Sequence, residues 1–141
     1  MKQQLIQRLH DEGCSCVIYN NGQTLLFHRR GVQDIHHLLH TAPTTLRGAM
    51  IADKVVGKGA AALMIAGGVE WVYAEVISQA ALALFAEHNI EVEVGSIVPN
   101  IINRAGTDIC PVEKLCLPKS DIEECVELID EFVKTNTQNR G

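Results

Sequence analysis

Apolar residues recur along this chain in two alternating rhythms. Leu5, Ile6 and Leu9 share one side of a helix over Met1–Asp11. Cys14–Tyr19 and Gln23–His28 read as strands joined by Asn20-Asn21-Gly22, and Asn-Gly between apolar runs signals a hairpin because both residues tolerate positive φ. Ile35, Leu38 and Leu39 return to helical spacing over Val32–His40, which ends near Pro43. Arg47–Ala52 reads as a strand, Lys54–Ile65 as an apolar helix closed by Gly67-Gly68, and Trp71–Val76 as a strand. Ser78–Glu87 is a helix that Ser78 caps, and Glu91–Val94 a strand that Ile97–Asn103 extends or leaves. Cys110–Leu115 is a short helix and Asp121–Lys134 a long amphipathic one capped by Ser120. Thr135–Gly141 is polar, without periodicity, and is expected to fray.

Strand–helix–strand repeats require crossovers and a parallel sheet, whereas the opening hairpin is antiparallel. The expected architecture is therefore α/β: a three-layer sandwich with a mixed five-stranded sheet and helices on both faces. A single domain over residues 1–134 is expected, with 135–141 as a tail. Ligands on such sheets sit at strand ends where helices begin.

Composition narrows the function classes. The chain has 141 residues, 47% hydrophobic and 21% charged, as an ordinary globular domain has. A net charge of −5 argues against general nucleic-acid binding, which needs a basic surface. No apolar run approaches the roughly 20 residues of a membrane span. Met1–His10 reads as an amphipathic polar helix rather than a signal peptide, so a cytoplasmic setting with five free thiols is expected.

The candidate chemistry clusters in two segments. In Asp53-Lys54-Val55-Val56-Gly57-Lys58-Gly59, two lysines and two glycines precede an apolar helix. Glycine admits close approach, a helix start offers free N–H groups, and lysine adds charge, so Asp53, Lys54, Gly57 and Lys58 fit a pocket for an anion or nucleotide phosphate. The plain reading is an Asp53 cap with two solvated lysines; a nucleophilic Lys58 is a third reading. In the second segment Asn103, Arg104 and Asp108 form a polar loop. Arg104 offers a fork for phosphate and Asn103 a polar edge for a base or ribose; alternatively the loop is a turn. Cys110 precedes Pro111 at a helix start, where a thiol is reactive, lines a ligand or is structural; Glu113 follows three residues on. His36 and His40 have the spacing of paired metal ligands, but no third ligand lies near in sequence, so His36, His37 and His40 read as a polar helix face. Cys14 and Cys16, two apart on a strand, share a face and read as core, as does Cys125 on its helix. Neither a metal nor a cofactor is expected.

Ala52–Ile65, Gly67–Glu75 and Asn103–Glu113 resemble a bacterial family of uncharacterised proteins, a domain of unknown function with a cytidine deaminase-like fold. The resemblance covers roughly residues 10–132. It implies a fold and pairing or tetramer formation, but no activity. A zinc deaminase requires His or Cys just before Ala-Glu at one helix start and Cys-x-x-Cys at the next. Here the first position falls near Val56-Gly57-Lys58 and the second near Cys110-Pro111-Val112-Glu113. Valine cannot ligate zinc and lysine cannot replace the glutamate, so hydrolytic deamination is not expected. The expectation is a zinc-less domain binding a nucleoside, nucleotide or related phosphorylated metabolite. The alternative is another class of enzyme using Cys110 or Lys58 as nucleophile, and a third reading is a structural oligomer subunit whose old active site is vestigial.

Overall fold

The computed structural model describes residues 1–29, 32–103 and 105–140. Helix α1 (Lys2–Asp11) leads into the hairpin β1 (Cys16–Asn20) and β2 (Gln23–Phe27), followed by α2 (Gln33–Thr41) and a 3₁₀ turn at Pro43–Thr45. Then come β3 (Met50–Val56), α3 (Lys58–Gly67), β4 (Trp71–Ser78), α4 (Gln79–Glu87), β5 (Glu91–Val98), α5 (Pro111–Cys116) and α6 (Ile122–Arg140). The sheet order is β2-β1-β3-β4-β5; β1 is antiparallel to both neighbours, and β3, β4 and β5 run parallel. The mixed five-stranded sheet of the sequence reading is thus the sheet observed.

Helices cover both faces unequally. Leu5 and Leu9 of α1 pack on Val17, Ala52, Trp71 and Tyr73. The other face carries the larger core, where Ile18, Ile51, Val72, Ala74 and Ile77 meet residues from α2 through α6. Within it α3 is buried along most of its length, which explains why its sequence is apolar all round. Asn21 (φ 51°) and Gly22 (φ 80°) form the hairpin turn, and Gly68 (φ 81°) ends α3.

Four local readings are corrected. β3 continues through Asp53, Lys54 and Val55 to Val56, and α3 begins only at Lys58 with Gly57 as its cap, so Asp53 is a strand residue and caps no helix. The β-branched Val55-Val56 pair suits a strand better than a first helical turn. Asp121, not Ser120, caps α6, its carboxylate accepting from the Glu123 N–H at 3.2 Å. Cys14 and Cys16 do not share a face: β1 starts at Cys16, and the two thiols lie in the two different cores. Helix α6 continues to Arg140 through residues where apolar periodicity has stopped; extending an anchored helix needs no new nucleus. Among the described residues, no helix is long and apolar enough to cross a membrane.

Candidate functional site

The two candidate segments meet where the parallel strands end and their helices begin. Lys58, Ser78 and Glu113 are the buried polar or charged residues of the described chain, at 9%, 0% and 1% exposure, and they form one network. Glu113, on α5, points into the junction of β3 with α3 and of β4 with α4. Its Oε1 accepts from the Lys58 backbone N–H at 3.0 Å and from the Ser78 hydroxyl at 2.5 Å. Its Oε2 accepts from the Ile101 backbone N–H. Ser78 caps α4 as expected, accepting from the Ala81 N–H at 3.2 Å while donating to Glu113. A helix start favours an acceptor carrying negative charge. Here the chain supplies that acceptor itself, from 55 residues away.

The glycines fit this closure. A Cβ at Gly57 would stand 3.2 Å from Glu113 Oε1 and 3.2 Å from Ile101 Cγ1. One at Gly59 would stand 2.3 Å from Val112 Cγ1, inside contact distance. Both positions therefore admit α5 against the start of α3. The Lys58 side chain turns the other way: its ammonium donates to the carbonyls of Leu117, at 3.1 Å, and Lys119. Those carbonyls follow the end of α5, where a cation and a hydrogen-bond donor are both favourable. This internal role differs from the phosphate-binding and nucleophilic roles that sequence suggested.

The remaining described candidates make contacts of their own outside this network. Asn103 is tied into its own turn, its side chain accepting from the Thr107 N–H at 3.1 Å and donating to the Thr107 hydroxyl at 3.3 Å. Asp108 accepts from the Ile109 N–H and from the Lys114 ammonium, each at 2.7 Å. The hydrogen bond from Lys114 holds the Asp108 carboxyl below its ordinary value, with help from the Ile109 N–H and the Lys114 charge. Arg104 lies outside the described residues. Asp53 is half-buried beside Cys16 across the β1–β3 ladder, and burial pushes its carboxyl up to about 7 against the pull of the Val55 and Lys54 N–H groups. Lys54 is half-buried on the same strand.

Cys110 caps α5 through its backbone and is half-buried. The other four cysteines are buried. Burial raises the thiols of Cys14 and Cys16, and burial beside Cys125 pushes Cys116 up to about 12. Cys125, 1% exposed, is the core residue its spacing suggested. Two surface hollows are lined by residues other than Lys58, Ser78 and Glu113. One is polar and lined by Asn20, Asn21, Gln23, Thr44 and Thr45 among others; the other is apolar and lined by Pro111, Lys114, Leu115 and Phe132. Sequence reading named Glu113 and missed its partners Ser78 and Ile101, because nothing local marks which backbone N–H a distant carboxylate will reach.

The architecture is that of an α/β domain whose parallel strand ends are closed by an internal carboxylate. Residues 4–133 match the profile of DUF1893, a domain of unknown function typified by TM1506, and the chain belongs to that family. A crystal structure of the DUF1893 family protein TM1506 from Thermotoga maritima superposes with a TM-score of 0.83 at 25% identity, covering 92% of this chain and 87% of that one. No curated protein matches.

Proposed function

We propose that this chain is a non-catalytic domain of the cytidine deaminase-like fold, in which the crevice suited to a nucleotide is closed by the domain's own Glu113. The fold assignment rests on the sheet order, with an antiparallel hairpin beside three parallel strands. The observation carrying the functional reading is that one buried carboxylate occupies the start of α3, the cap of α4 and the Ile101 N–H together. Zinc hydrolysis has no support from Val56, Gly57 and Lys58 at the helix start. A nucleotide or related phosphorylated metabolite, the ligand suggested by sequence, would have to displace Glu113 from all three donors. Cys110 is a free, half-buried thiol whose side chain makes no capping hydrogen bond at the start of α5, which gives catalysis through it no support. Free, mostly buried cysteines support a reducing, cytoplasmic setting.

The test is calorimetry of the whole protein against nucleosides, nucleotides and inorganic phosphate, with ammonia release measured in parallel. The expected result is no saturable heat at millimolar ligand and no ammonia above the blank. A saturable nucleotide isotherm would reinstate the ligand reading, and ammonia release would reinstate the enzyme. Homo-oligomer formation remains part of the proposal. Among the described residues β5 closes one end of the sheet order with an unpaired edge, and Ile97 on it is 52% exposed. A solution mass equal to the 15.4 kDa of one chain would remove that part.

A further inference from the structure

The geometry points to a divalent transition-metal site, of the kind zinc fills, formed by His36 and His40 of α2 with Asp130 of α6. None of these residues belongs to the Glu113 network. His36 and His40 are one helical turn apart, so both imidazoles leave α2 on the same side. Their Nε2 atoms each lie 2.7 Å from Asp130 Oδ1. All three donor atoms fall within 4.8 Å of one another. The third ligand that sequence spacing did not provide is supplied by the packing of a helix 90 residues further along the chain.

Two imidazoles donating to one carboxylate oxygen would satisfy the same atoms without a metal. Three features favour the ion. Both histidines present Nε2, the unhindered ring nitrogen, to one point. Tetrahedral zinc, with bonds near 2.0–2.2 Å, holds its ligands about 3.3 Å apart, so each of the two 2.7 Å nitrogen–oxygen distances needs to lengthen by only about half an ångström. The exposure is graded: His36 is 15% exposed, whereas His40 is 47% and Asp130 38%. One ligand is held while two face solvent, leaving a way in and an open fourth position for water. Two imidazoles and one carboxylate suit Zn²⁺ and similar ions over Mg²⁺ or Ca²⁺, which prefer all-oxygen shells.

Bound metal would join α2 to α6, linking the first half of the chain to its last helix. The test uses chelator-treated full-length protein, titrated with Zn²⁺ by calorimetry and with Co²⁺ by absorption. One equivalent should bind at micromolar affinity or tighter and raise the melting temperature. The cobalt form should show visible bands without the near-ultraviolet absorption of a thiolate ligand. His40→Ala and Asp130→Asn should each weaken binding at least about tenfold. His40 is exposed enough for its variant to stay folded, as an unchanged circular dichroism spectrum would verify. Absence of saturable binding, unchanged affinity in both variants, or a thiolate band would each overturn the site.

Discussion

Glu113→Ala should lower stability by about 3–5 kcal/mol, a drop of roughly 10–15 °C in Tm for a domain of this size. The substitution removes the acceptor for the Lys58 N–H, the Ser78 hydroxyl and the Ile101 N–H, and leaves these donors in a region where Glu113 itself is 1% exposed. Ser78 can turn its hydroxyl, but the two backbone groups cannot turn away. Glu113→Gln keeps one oxygen and puts an N–H₂ donor where the other was, facing a donor. It should lose roughly half as much. Urea melts of the three proteins check the order. If Glu113→Ala is as stable as the parent, water already satisfies these donors and the carboxylate does not hold the junction.

Asp53→Asn should stabilise the protein at pH 8 and not at pH 4. The Asp53 carboxyl ionises near 7 when folded, chiefly because it is buried, and near 4 when unfolded. A group raised in this way binds its proton more tightly in the folded state, so its contribution is fully present below about pH 4 and is lost as pH rises to about 7. The loss by pH 8 has an upper limit of about 4 kcal/mol, and water at the half-buried side chain brings the expected figure nearer 2 kcal/mol. Asparagine keeps an oxygen to accept from the Val55 N–H. Paired denaturation curves from pH 4 to 8 should therefore diverge above pH 4. Parallel curves would show that Asp53 titrates as it does in water.

Both substitutions fall in segments that sequence reading singled out, with roles it did not give them. The elements were legible wherever a local signal had one outcome. Asn21-Gly22 required a left-handed turn, Ser78 preceded a helix, and Gly68 followed one. The β3–α3 boundary was misread because Asp53 and Lys54 are polar. A sheet strand accommodates polar residues near its end more readily than hydropathy suggests, and the pairing of Val55 with Val76 settles the boundary only after folding. The site was legible as a meeting of two segments, because parallel connectivity brings strand ends to one edge. Its chemistry was not. Whether a helix glutamate faces solvent or turns inward depends on the approach of α5 to α3, and that approach depends on Val112 passing over Gly59. Lysine before an apolar helix likewise suggests an anion until the end of α5 supplies carbonyls instead. Asp130 had no local signal, since its partners lie on α2.

The most direct test of the closed junction is a two-dimensional amide NMR titration of the unmodified protein with inorganic phosphate and then a nucleoside monophosphate. Glu113 accepts from the Lys58 and Ile101 N–H groups, so both resonances should stay fixed through millimolar ligand and exchange slowly with solvent. Saturable movement of both amides with either ligand would show that an anion displaces Glu113 from the helix start, and would contradict the account.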